Sequence, residues 1–183
     1  MPTDLTIFIG VDPGLTGAVG VIDQDSRAIA VIDVITRRRT LTSTTIKREF
    51  DVRPTVDQLT DRLVNYLNHE WRACIEAPFS VPGGNMMGTC SLFQTYGGLL
   101  AMLEMIGIDV TTVRPGEWKR GFGLTKDKDY SITVARQMWP TINLDAKRHH
   151  NRAEALLIAE YGRLLWQREQ LLATAARRSS VGA

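Results

Sequence analysis

Three acids stand where an acid is costly. Asp12 closes the apolar run 5–11 just before Pro13-Gly14, and Glu76 closes Ala73-Cys74-Ile75 just before Ala77-Pro78. Glu154 interrupts the otherwise apolar stretch of Ala153, Ala155, Leu156, Leu157, Ile158 and Ala159. A carboxylate at the end of a buried strand must be paired, hydrogen-bonded or bound to a cation. If the two strands are neighbours, Asp12 and Glu76 share one edge of a sheet, where a hard divalent cation would relieve their mutual repulsion. Two of the acids also have a bland reading: Asp12 caps the turn through Gly14 and Thr16, and Glu154 is an exposed position between core-facing residues. His150 and Asn151 precede Glu154 by four and three residues, so either stacks on its helical face. An imidazole at that spacing makes a metal pair with the carboxylate that suits Mn²⁺ or Zn²⁺ better than Mg²⁺. Lone histidines are more often structural.

The elements that must position these acids follow from hydrophobic period. Residues 5–11, 18–23 and 28–35 are short β-rich runs, the first two separated by Pro13-Gly14-Leu15-Thr16-Gly17, so the chain opens as a strand meander. Residues 36–53 are polar, rich in Thr and Arg and without a period, which predicts a loop or irregular excursion. Helical spacing of Val56, Leu59, Leu63, Val64 and Leu67 after Pro54 predicts a helix over 55–68, followed by a buried strand ending in Glu76. The glycine-rich stretch 81–88 predicts a mobile loop. A helix over 91–106, a strand over 110–113, a basic connection and helices over 130–139 and 151–172 complete the pattern. The expected architecture is α/β, a mixed sheet with an antiparallel meander followed by parallel strands, flanked by helices. One domain is expected over residues 1–172, with a frayed tail over 173–183.

Composition bounds the function. At 183 residues and 44% hydrophobic content, the chain can bury a core without disulfides or structural metals. A net charge of +2 does not announce a nucleic-acid partner, so that reading depends on where the cations cluster. They cluster at Arg37-Arg38-Arg39, at Lys119, Arg120, Lys126 and Lys128, at Lys147-Arg148 and at Arg177-Arg178; each run is either a solvated face or a phosphate contact. Two cysteines outside any CxxC pair, no charged leader and no membrane-length apolar segment predict a soluble, cytoplasmic protein.

The order of motifs resembles the RuvC-like Holliday-junction resolvases. Ile9-Gly10-Val11-Asp12-Pro13-Gly14 with Thr16-Gly17 comes first, then Ile75-Glu76 with Phe79, then residues Leu92-Phe93-Gln94-Thr95-Tyr96-Gly97-Gly98-Leu99-Leu100, and last Arg152-Ala153-Glu154-Ala155-Leu156-Leu157. The last form is most similar to the phage-encoded and chloroplast branches. The resemblance spans residues 6–162 and implies a ribonuclease-H-like fold, a homodimer, and cleavage of phosphodiester bonds in four-way junctions and other branched DNA, with two Mg²⁺ or Mn²⁺ ions per active site. It implies that Asp12, Glu76 and Glu154 are metal-ligand carboxylates, that Phe79 is the aromatic wedge at the junction centre, and that Lys119, with Arg120 beside it, and Lys126 or Lys128 are the basic residues near the scissile phosphate. The chain departs from the family in one place. Where the family usually has a second acid, and only occasionally a histidine, three or four residues before the last carboxylate, this chain offers Asn151 and His150; His150 is the preferred fourth ligand or water positioner, with His149 in reserve.

Two readings from other classes compete. Asp12-Pro13-Gly14-Leu15-Thr16-Gly17 also resembles the phosphate-binding hairpin of actin- and sugar-kinase-like ATP-binding proteins, but that fold needs two such domains. A branched-DNA binding module with weak or no catalysis would follow if the altered fourth ligand has cost the protein its activity. Within the nuclease class, a ribonuclease H or a fork- and flap-cutting enzyme shares the fold.

Overall fold

The apolar runs ending in acids are extended and lie side by side. A computed structural model describes residues 5–43, 45–66, 68–80, 83–124, 128–145 and 149–181. Strands β1 (Thr6–Asp12), β2 (Ala18–Asp23), β3 (Ala28–Asp33), β6 (Glu70–Glu76) and β7 (Asp109–Val113) form one sheet in the order β3-β2-β1-β6-β7. The first three are an antiparallel meander, and β6 and β7 join parallel to β1. Parallel neighbours need a crossover, which α1 (Val52–Leu63) supplies between β3 and β6, and α2 (Met86–Met105) supplies between β6 and β7. The mixed sheet flanked by helices is therefore present as expected.

Alternation along β1 assigns the two faces. Ile7, Ile9 and Val11 point into one core with Leu59, Leu63, Leu99 and Leu103 of α1 and α2. Phe8 points into the other, with Cys74 of β6 and Ala153, Leu156, Leu157 and Ala159 of the last helix, α5 (His150–Val181). Alternation continued one step places Asp12 and Glu76 on this second face.

Glycine decides how closely α5 lies on the sheet. A Cβ on Gly10 would stand 2.1 Å from Ala155 O and Ala159 N, and one on Gly20 would stand 2.7 Å from Leu156 N. A Cβ on Gly162 would meet the Cys74 Cβ at 2.9 Å. The helix backbone thus crosses from β2 over β1 to β6, touching the strands most closely at these glycines, and every residue from Ala153 to Glu160 is buried. Arg152 pins the first turn of α5 to the end of β3 through two bonds of 2.6 Å to the Asp33 carboxylate.

Several expectations need correction. Residues 36–53 hold an antiparallel hairpin, β4 (Thr36–Thr40) with β5 (Ile46–Phe50), and the start of α1. Its strands escaped notice because they carry Arg, Lys and Glu in place of alternating apolar residues. Met86, Met87 and Gly88, expected in a mobile loop, form the first turn of α2, because the Asn85 side chain accepts from Met87 N at 3.0 Å and Gly88 N at 3.4 Å. The basic connection after β7 contains a short helix, α3 (Pro115–Gly121), and α4 spans Lys128–Met138. Residues 173–181, expected to fray, continue α5, since Ala and Arg favour the helix even where no core faces them. No described helix is long and apolar enough to cross a membrane.

Candidate active site

Asp12 and Glu76 end adjacent parallel strands at the same level, since Val11 pairs with Ile75. Both are half-buried, and both lie on the face that α5 covers. This meets the condition on which a shared edge depended. Glu154, buried to 7% exposure, is carried to that edge by the contact of Ala155 with Gly10.

Glu76 is held from the side by α3. β7 runs parallel to β6 and stops at Val113, level with Glu76. Arg114 then turns the chain, Pro115 occupies the first helical position, and Arg114 N donates to Glu117 Oε2 at 3.0 Å. One turn later the fully buried Trp118 donates its indole N–H to Glu76 Oε2 at 2.6 Å. Burial pushes the Glu76 carboxyl above the usual carboxylate range. The Trp118 hydrogen bond and the Lys119 charge act against that rise, and the Glu154 charge adds to it. The last influence ties Glu76 and Glu154 into one electrostatic unit.

Lys119, the next residue on α3, donates to Glu154 Oε1 at 3.1 Å and stands 5.0 Å above the Trp118 ring. Ser131 of α4 donates to the same oxygen at 3.3 Å. Lys119 was expected near a phosphate; in this structure its ammonium is the positive charge between the two glutamates. Arg120 is exposed on the same helix. Lys126 lies outside the described residues, as does the side chain of Lys128.

The residues before Glu154 separate. His149 is buried to 8% exposure, while His150 is half-buried at the first position of α5. Asn151 donates its side-chain amide to Thr16 O, and to Thr16 Oγ1 at 3.1 Å. Asn151 therefore ties α5 to the turn that follows Asp12. Phe79 stands 58% exposed just beyond β6.

The donor chemistry fits a hard divalent cation: three carboxylates from two strand ends and one helix, with burial of Glu76 disfavouring its charge while no cation is near. Among the described residues, however, no three His, Cys, Asp or Glu side chains already converge closely enough to hold an ion. Cation binding would require Glu154 to exchange the Lys119 ammonium for the ion.

Trp118, Ser131 and the Asn151–Thr16 contact were missed in the sequence. The signal for Trp118 was present: Pro115 and Glu117 behind Arg114 mark a helix start, which places Trp118 on a helix beginning beside the end of β7. Ser131 and Asn151 have no signal short of the fold.

No family model matches the chain. Over 92 residues, 48% of the chain, it is 38% identical to the chloroplastic Holliday junction resolvase MOC1 of Chlamydomonas reinhardtii, and it spans about 10% of that protein's length. The structure of T. thermophilus RuvC in complex with a Holliday junction substrate superposes with a TM-score of 0.52 at 15% identity, covering 85% of this chain and 90% of that one. A second T. thermophilus RuvC structure superposes with a TM-score of 0.46 at 16% identity over the same shares. The chain therefore has the ribonuclease-H-like fold of RuvC and a distant sequence relationship to the Holliday-junction resolvases, without assignment to a phage or chloroplast branch.

Proposed function

We propose that the chain is a divalent-metal-dependent endodeoxyribonuclease that resolves Holliday junctions, and also cuts forks and flaps, by paired phosphodiester cleavage during recombination and repair in the cytoplasm of a bacterial or phage-infected cell. The observation that supports it is the placement of Asp12 and Glu76 on adjacent strand ends under α5, with Glu154 close enough for its charge to raise the Glu76 pKa. Asp12 would hold both of two Mg²⁺ or Mn²⁺ ions, Glu76 one of them, and Glu154 with His150 the other. When bound, those ions supply the Lewis acidity for in-line attack of water on phosphorus. Trp118 orients the Glu76 carboxylate. Lys119, released from Glu154, is within reach of the same site to neutralise charge developing on the phosphate, and Arg120 with Lys126 or Lys128 extends the basic flank.

Phe79, with the exposed Met86 and Met87 at 77% and 60%, offers apolar wedges for the junction centre. Paired cuts need two copies of the site. On α2, Leu99 and Leu103 enter the core, Leu92 and Leu100 are half-buried, and Phe93 and Ile106 remain about half exposed, so the helix keeps an apolar margin for a second copy.

A second reading, a branched-DNA binding module without cleavage, is favoured by the lack of three converged metal ligands among the described residues. The test is a set of single variants, Asp12→Asn, Glu76→Gln and Glu154→Gln, assayed for binding and nicking of a four-way junction. The nuclease reading expects each to bind and none to cut, while the wild type cuts. A wild type that binds junctions and never cuts them under Mg²⁺ or Mn²⁺ establishes the second reading.

A further inference from the structure

Residues 36–50 carry five cations, Arg37, Arg38, Arg39, Lys47 and Arg48, against the single acid Glu49, a net charge of +4 in a chain whose total is +2. The pairing register of β4 with β5 sorts them onto two faces, because side chains directly opposite point the same way. On one face Arg37 lies opposite Glu49 and Arg39 opposite Lys47. Arg37 and Arg39 are compensated by the buried Glu49, at 2.8 Å from Arg37 Nε and 3.5 Å from Arg39 Nη1, while Lys47 Nζ donates to the neutral side chain of Gln94 of α2 at 3.3 Å. The two arginines tie the strands of the hairpin to each other, and Lys47 ties the hairpin to α2.

The other face pairs Arg38 with Arg48. Both are exposed, and among the described residues neither meets an acid; Arg48 donates only to the Thr36 hydroxyl, at 2.8 and 3.3 Å. Like charges directly opposite on a strand pair repel, so an anion from outside would stabilise this face. Its position says which anion. Ile46, Lys47 and Arg48 line an open groove of about 490 Å³ together with Gly14 and Leu15 of the turn that follows Asp12. Met87, Gly88, Ser91 and Leu92 of α2 complete it.

We propose that the outer face of this hairpin grips the phosphate backbone of a duplex DNA arm leaving the candidate active site, with Arg38 and Arg48 as the phosphate contacts. The inference rests on the nuclease reading. A polymeric anion is indicated because the uncompensated charge spreads over two strands beside an open groove, where a small phosphate would find no enclosure. Each neutralised phosphate releases counterions and steepens the salt dependence of binding by about 0.9 in log–log slope.

The test titrates the full chain against a fluorescent four-way junction and a linear duplex in EDTA, from about 50 to 200 mM salt. The double variant Arg38→Gln/Arg48→Gln is expected to bind both DNAs more weakly, with a slope shallower by about two. Arg38→Lys/Arg48→Lys keeps the charge and is expected to keep the slope. If the Gln pair retains wild-type affinity and slope while the wild type binds and cuts junctions, the hairpin inference fails alone. Equal loss in the Gln and Lys pairs assigns the arginines a structural role and also overturns it. A wild type that neither binds nor cuts branched DNA removes the nuclease reading and this inference together.

Discussion

Trp118 donates its indole N–H to Glu76 Oε2 at 2.6 Å from the same helical turn on which Lys119 reaches Glu154 at 3.1 Å. One seven-residue helix thus opposes the effect of burial on one glutamate and holds the other in place. Outer partners of metal ligands typically carry about 10–100-fold of metal affinity or activity. Trp118→Phe keeps the ring and removes the donor, and is expected to lower junction cleavage by about that factor, with more Mg²⁺ needed for half-maximal rate. Unchanged metal dependence in a folded Trp118→Phe would remove the tryptophan from the site.

Burial holds the Glu76 carboxyl above the usual range. An acid whose pKa is raised by folding adds stability below its unfolded value, about 4.3, and that contribution is lost as pH rises through the folded value. In EDTA, therefore, wild type should lose melting temperature relative to Glu76→Gln as pH rises from mild acid to neutrality. Saturating Mg²⁺ should recover that difference, raising the melting temperature of wild type more than that of Glu76→Gln, because only wild type gains the ionised Glu76 carboxylate as a ligand. Scanning fluorimetry across this interval checks both arms, and parallel curves with no Mg²⁺ effect would contradict them.

Gly10→Ala places a Cβ 2.1 Å from two backbone atoms of α5, neither of which can rotate aside. Overpacking of this kind costs roughly 1–3 kcal/mol or more, which in a chain of this size corresponds to roughly 2–4 °C of melting temperature per kcal/mol. Because α5 carries Glu154, cleavage by the fraction that stays folded should fall as well. Thermal melts and specific activity at a temperature where the variant is folded separate the two effects; a variant with wild-type values of both would contradict the packing account.

His150 and Asn151 separate by contact. Asn151 already donates to Thr16, so Asn151→Ala should loosen the turn after Asp12 without changing which metal is preferred. A nitrogen ligand favours Mn²⁺ over Mg²⁺. His150→Asp should therefore shift preference towards Mg²⁺, and His150→Ala should cripple cleavage with either ion. Rates with the two metals at equal concentration check this, and full activity of His150→Ala alongside loss in His149→Ala would move the ligand to His149.

The two strand ends and their acids were legible because an apolar run that stops at a charge is a local signal, and Asp12 and Glu76 each end one. The hairpin over residues 36–50 was not legible. Its inner face buries Glu49 beneath arginines, so the two-residue alternation of polarity that marks a half-buried strand is absent. The far end of α5 was misread for the opposite reason: the apolar stripe stops at Leu172, but the following Ala and Arg residues sustain the helix by propensity alone. Trp118, Ser131 and Thr16 meet their partners across 42, 23 and 135 residues, distances that only the folded sheet closes.

The most direct measurement of the central claim maps the products of a synthetic four-way junction incubated with the full chain and Mg²⁺ or Mn²⁺, beside a linear duplex of the same sequence. The account predicts paired nicks at symmetric positions in opposing strands of the junction, none without metal, none with Glu76→Gln, and little cutting of the duplex. Metal-independent products, or equal cutting of junction and duplex, would contradict it.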